Sequence, residues 1–180
     1  MKATGIVRRI DELGRIVIPK EIRRTMRIKE GDPLEIFTDH DGELIFKKYS
    51  PIEELSETAS QYAESINKAC GLSFIITDRD VAVACAGITK KDIIDRKISR
   101  GFEDIIDARQ FYKWQKGERK IIVIDRQEKY FAKAIAPIFS ESTIIGAVAV
   151  IEADTISEPT EIEIKLAQTA AVFLGKQMEN

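Results

Sequence analysis

"GRIVIPKEIRRTM", residues 14–26, gathers Arg15, Lys20, Arg23 and Arg24 around one proline, with Arg27 just beyond. Its first half is rich in β-branched residues and reads as a strand. Pro19 cannot donate to a ladder, so it ends that strand, and its fixed φ suits the first turn of a helix. "KEIRRTM" then supplies helix formers. At about 100° per residue, Lys20, Arg23, Arg24 and Arg27 share roughly 100° of arc, with Ile22 and Met26 opposite. Such a helix buries one face and carries a row of cations on the other. Like charges four residues apart cost about 0.2–0.5 kcal/mol per pair, and only Glu21 offsets them locally.

The surrounding charge is just as uneven. The 180-residue chain has a formal net charge of −2. Within residues 1–29, nine Lys/Arg stand against three acids, whereas both residues 30–50 and residues 51–180 are acidic. A basic head on an acidic body points to an anionic partner for the head. Arginine predominates, and its planar fork binds phosphate in pairs of hydrogen bonds and reaches guanine edges. No aromatic residue precedes Phe37, which argues against stacking on single strands. Double-stranded DNA, held by its phosphates, is the partner that fits. Arg8, Arg9, Arg15, Lys20, Arg23, Arg24 and Arg27 are its candidate contacts.

Around this stretch, "TGIVRRI" (4–10), "GRIVIP" (14–19), "LEIFT" (34–38) and "ELIFKKY" (43–49) read as four short strands. Asp39-His40-Asp41-Gly42 is a hairpin turn. A boundary follows at Ser50-Pro51-Ile52-Glu53, a helix start with a cap, a proline at the first position and a glutamate three residues after the cap. The domains expected are 1–50 and 51–180, with 51–71 as a connecting helix. Ile52, Leu55, Ala59, Tyr62, Ala63, Ile66 and Cys70 recur at spacings of three and four, and Gly71 closes the helix. Strands are expected over 72–78, 81–87, 120–125, 130–140 and 143–153, and helical or irregular chain over 90–112. A last helix spans 160–178, with Thr160 and Glu163 placed for a capping box. Hairpin-linked strands with helices on them make an α+β fold with an antiparallel sheet.

The head's sequence resembles the AbrB-type transition-state regulators. The match runs from Lys2 to Tyr49, and the D-x-L-G-R-[IV]-V-I-P core at Asp11–Pro19 is its specific part. The full chain resembles the sporulation-stage regulators that join such a head to a GAF-like C-terminal domain. The resemblance implies a swapped-hairpin fold, in which two chains interleave their hairpins into one small β-barrel. It also implies DNA contacts at Arg8, Arg15, Arg23 and Arg24, a basic residue at position 9, and selection of flexible, AT-rich sites by shape. Lys20 and Arg27 are additions from the helical wheel. About fifty residues bury little core alone, which independently favours a dimeric head.

The remaining chemistry is sparse. His40, the single histidine, sits in a turn without nucleophile or pocket. Asp39, Asp41 and Glu43 alternate like calcium ligands but lack the rest of a calcium loop. Cys70 and Cys85 form no CxxC pair and read as small, reduced core residues rather than redox sensors. No cofactor or metal motif and no stretch apolar enough to span a membrane is present, so a cytoplasmic chain without cofactor is expected. Phe102, Phe111, Tyr112 and Trp114 are candidate ligand contacts under a lid formed by residues 90–119. Ile162, Leu166, Ala170, Phe173 and Leu174, flanked by Val172, give the last helix an apolar stripe suited to pairing between subunits. With the head dimer, that pairing makes a homotetramer. Three functions stay open: a DNA-binding transcription regulator, activator or repressor, with an effector-sensing or scaffolding body; an antitoxin-like protein; and a GAF-fold, cysteine-dependent enzyme. The first fits best, since the body holds no histidine and is too well patterned for a disordered toxin-binding tail.

Overall fold

The protein is described by a computed structural model covering residues 5–179. It divides into two compact units, residues 1–49 and 50–180.

In the head, α1 (Lys20–Thr25) is followed by a hairpin of β1 (Leu34–Thr38) and β2 (Leu44–Lys48). The register pairs Leu34 with Lys48, Ile36 with Phe46 and Thr38 with Leu44. Asp39 shapes the turn: one of its carboxylate oxygens accepts the N–H groups of Asp41 and Glu43, each at 3.0 Å. The strands expected over 4–10 and 14–19 are absent as strands among the described residues, and Thr4 lies outside them. The chain between Gly5 and Pro19 has no ladder partner within this unit. It makes a turn at Asp11–Arg15, where Gly14 N–H donates to Asp11 C=O at 3.0 Å.

Helix α1 ends earlier than the wheel implies. Met26 is the last half-helical residue and Arg27 takes a left-handed φ of 53°. Arg27 N–H bonds Arg24 C=O, and Ile28 N–H bonds Arg23 C=O at 2.8 Å. That bond pattern is a Schellman stop, a position that normally takes glycine. Arg27 therefore leaves the helical row.

The body is a five-stranded antiparallel sheet of order β4-β3-β7-β6-β5. Its strands are β3 (Ser73–Thr77), β4 (Ala82–Ala86), β5 (Tyr112–Lys113), β6 (Tyr130–Ser140) and β7 (Thr143–Ala153). The helices are α2 (Pro51–Glu54), α3 (Ser56–Cys70), α4 (Lys90–Ile93), α5 (Arg100–Asp107) and α6 (Glu161–Gln177). The helix expected as one piece breaks at Leu55, whose N–H bonds Ile52 C=O in a tight turn before the helix resumes.

Period-two alternation sorts the strand residues to the two faces. Phe74, Ile76, Ile138 and Val148 pack with Ala59, Ala63 and Ile66 of α3 and Ala167, Ala170 and Leu174 of α6. Ile75, Ile135, Ala149 and Ile151 pack on the other face with Ile93, Phe102 and Ile106. Helix α6 comes so close to β6 that a Cβ built on Gly175 would stand 2.0 Å from Phe139 C=O. The Thr160–Glu163 capping box is formed at its start.

The strand expected over 120–125 is reduced to single bridges, Ile98 to Ile124 and Ile122 to Phe131. The ladder between β6 and β7 has its own register shift, between Ala132 and Ala134. The short β5 pairs further along, Tyr112 with Ile135, and had no signal in the sequence.

Candidate nucleic-acid interface

On α1, Lys20, Arg23 and Arg24 are exposed and Ile22 is half-buried. Among the described residues no ion pair engages these three cations. Met26, expected on the buried face, is exposed. Arg8 and Arg9 are exposed on the extended chain before the turn. Arg15 is held differently. Its Nε donates to Asp11 Oδ2 at 2.8 Å, while Asp11 Oδ1 accepts the N–H groups of Arg15 at 2.8 Å and Leu13 at 2.9 Å. Those bonds, the Arg15 N–H first and then its guanidinium, hold the Asp11 carboxyl below its ordinary range. The turn that displays Arg15 is thus fixed by one carboxylate, a role not read from the sequence although D-x-x-x-R was there to suggest it. Arg27 has left the row but remains beside it in sequence, in a half-buried position.

No residue of the head is buried among those described. Val7, Ile10, Leu13, Val17, Ile36 and Leu44 are all exposed, Val7 by 88%. So many exposed apolar residues in one small unit are a surface that wants covering.

In the body, the four aromatic residues expected to line a ligand pocket are not brought together. Phe102 is wholly enclosed in the cluster on one sheet face. Phe111 packs against the cluster on the other face, and Tyr112 against the first. Trp114 is 7% exposed, and its indole N–H donates to Glu118 C=O at 3.2 Å. These residues fill the fold, because in a domain this size large aromatic rings are the most effective core material. The Tyr112 hydroxyl is buried without a partner, and burial, with Glu118 nearby, pushes its pKa up to about 12.

A cavity of about 550 Å³ lies elsewhere, where α2, the start of α3, the β3–β4 hairpin and α4 meet. Its acids come from separate elements, so no sequence spacing marks it. Cys85 lines it and is buried, with its thiol pushed up chiefly by burial. Cys70, expected to be buried, is exposed at the end of α3. His40 is exposed in its turn, as expected. No three Asp, Glu, His or Cys residues converge as a metal site among the described residues. No helix among them is long and apolar enough to cross a membrane.

The last helix leaves Ile162, Val172 and Phe173 exposed, while Ala170 and Leu174 face the sheet. Phe173 stacks on Tyr62 of α3, with centroids 5.2 Å apart. The two helices thus present a joint apolar face away from the sheet.

Residues 54–179 match the family profile described as "Stage V sporulation protein T C-terminal, transcription factor". Residues 7–54 match that of "Antidote-toxin recognition MazE, bacterial antitoxin". The chain is 48% identical over 179 residues to stage V sporulation protein T of Bacillus subtilis (strain 168), covering 99% of both chains. It belongs to the stage V sporulation protein T family. Its head is also 63% identical over 51 residues to the transition state regulatory protein AbrB of the same organism, 28% of this chain and 52% of that one. The GAF domain of an Acinetobacter phosphoenolpyruvate-protein phosphotransferase superposes on 69% of this chain and 81% of its own, with a TM-score of 0.55 at 12% identity. The body therefore has the GAF fold.

Proposed function

We propose that the protein regulates sporulation-stage genes in the cytoplasm by binding double-stranded DNA as a homo-oligomer, without catalysis. The observation that carries this reading is the row Lys20, Arg23 and Arg24 on α1, without ion-pair partners, in a head with no buried residue among those described. Two heads that interleave their apolar strands would cover Val7, Ile10, Val17 and Ile36. They would also bring two copies of the row onto one DNA face, with Arg8, Arg9 and Arg15 beside them. Arg27 contributes from just past the helix. Few aromatic groups and many cations favour backbone contact, so site choice rests on the deformability of AT-rich DNA. The α3–α6 face joins head dimers into a tetramer. The body senses a small molecule, which the cavity beside α2 and α3 supports.

The experiment is a salt-dependent DNA-binding titration of the full chain and Arg23→Ala/Arg24→Ala. Each lost phosphate contact lowers the salt slope by about 0.9, so in a dimer the slope falls by up to about 3.6. An unchanged affinity and slope would remove α1 from the interface. The match of the head to an antitoxin profile favours a second reading, toxin neutralisation. The folded body over 50–180 in place of a tail weighs against it.

A further inference from the structure

The cations of the head are of two kinds. Lys20, Arg23 and Arg24 have no ion-pair partner among the described residues, whereas Arg15 is held. Asp11 and Arg15 are tied first through the backbone, Asp11 N–H to Arg15 C=O at 3.1 Å. Across that turn the Asp11 carboxylate takes the Arg15 guanidinium through Nε at 2.8 Å. The carboxylate cannot swing away, because its other oxygen accepts the N–H groups of Leu13 and Arg15. An exposed ion pair ordinarily joins two loose side chains; here one partner is anchored, so the guanidinium has a set direction. Its Nη1 and Nη2 have no partner among the described residues, and the side chain is 70% exposed. That edge of the fork is open to a ligand.

Charge argues against one more phosphate clamp at this edge. Residues 11–15 set Asp11 and Glu12 against Arg15, so the turn is negative within a strongly basic head. A phosphate that approaches Arg15 meets two carboxylates. Release of counterions from DNA needs uncompensated cations, which Lys20, Arg23 and Arg24 supply and Arg15 does not. A base edge is different. Guanine O6 and N7 accept two parallel N–H donors and carry no net charge for the carboxylates to repel. A guanidinium already fixed in direction also loses less freedom on binding, which favours a contact that depends on angle.

We propose that Arg15 reads a guanine edge in the major groove and that Asp11 is its positioning residue; the assignment rests on the DNA-binding reading above. The row on α1 then supplies affinity and salt dependence, while the Asp11–Arg15 pair adds direct readout of one base pair to the selection by shape. Asp11 stands beside the DNA at a cost in attraction, and what it gives in return is the orientation of the fork.

The test uses the full chain on a pool of random-sequence duplex DNA, sequenced before and after selection. The unaltered chain is expected to enrich guanine at one fixed position per head. At that position 7-deazaguanine, which lacks the N7 acceptor, should weaken binding about tenfold, a measurement that needs no variant. Arg15→Lys keeps the charge and loses the fork. Asp11→Asn keeps an oxygen for the two backbone N–H groups but turns an amide to Nε, donor against donor. Both should lose the guanine preference. For Asp11→Asn, charge alone gives the opposite sign, tighter binding to every duplex, because a carboxylate leaves the interface. A selected pool without a guanine preference overturns the proposal and leaves DNA binding standing. So does an Asp11→Asn chain that keeps the preference. Arg15→Ala that weakens every duplex alike and lowers the salt slope by about 0.9 per head makes Arg15 a phosphate contact and also overturns it. Retention of no duplex by the unaltered chain overturns the DNA-binding reading itself.

Discussion

Replacing Lys133 by methionine should cost the body about 3 kcal/mol, although the new side chain fills nearly the same space. Lys133 is 7% exposed on β6, and its Nζ lies 2.7 Å from Glu163 Oε1 and 3.9 Å from Glu152. Glu163 is 6% exposed on α6. Breaking a buried ion pair by removing one partner costs about 3–5 kcal/mol, because a charge stays buried without compensation. The low end applies here. Glu163 Oε2 keeps two donors, Thr160 N–H at 2.6 Å and its hydroxyl at 2.9 Å. Converting both partners, Lys133→Met with Glu163→Gln, should recover about 2 kcal/mol of the loss, since neither side chain is then charged. Urea unfolding at fixed protein concentration, followed by the fluorescence of the single tryptophan Trp114, reads the body directly. The acid limb offers a second reading. Burial pushes the Glu163 carboxyl up, but Lys133 and the Thr160 donors together hold it below its ordinary value. A folded-state pKa below the unfolded one gives stability that is complete above the unfolded value and is lost as pH falls through the folded value. Without Lys133 the folded-state value rises toward the unfolded one, so this acid-linked loss should become smaller. A cost under about 1 kcal/mol for Lys133→Met, or additive single and double variants, would refute the argument.

Arg27→Gly should stabilise the head by about 1 kcal/mol, because glycine takes the left-handed stop of α1 without strain; a lower melting temperature for the head would contradict the helix end described here. Gly175→Ala should destabilise the body by about 2–3 kcal/mol, since its methyl group has no room against Phe139 C=O, and a neutral effect in urea unfolding would show that α6 does not sit this close. Tyr112→Phe deletes a buried hydroxyl without a partner and should raise stability by about 1 kcal/mol; a loss of that size would reveal a bond to that hydroxyl. Val172→Glu/Phe173→Glu places charges on the exposed face of α6 and should halve the oligomer in light scattering, with DNA binding by the head dimer retained; an unchanged mass would exclude this face from assembly.

The cationic row on α1 was legible in the sequence because a helix maps spacing directly onto direction. Lys20, Arg23 and Arg24 had to share a face once the segment was helical. The sheet faces followed in the same way from alternation, as with Phe74 and Ile76 against Ile75. The capping box at Thr160 and Glu163 is a local motif and needed nothing else. Arg27 was misplaced because the end of α1 depends on a backbone reversal that this sequence makes without the usual glycine. The chain from Gly5 to Pro19 has the composition of strands, but a strand exists only where a neighbour completes its hydrogen bonds, and composition does not name the neighbour. The same limit misled the reading of Phe102, Phe111, Tyr112 and Trp114. Aromatic residues close in the chain can serve opposite faces of a sheet, and only the packed structure distributes them. The cavity is the extreme case. Glu53, Glu57, Asp78 and Asp95 come from separate elements, so their common surroundings arise from how the helices and the β4 edge pack, a long-range outcome that no local pattern encodes.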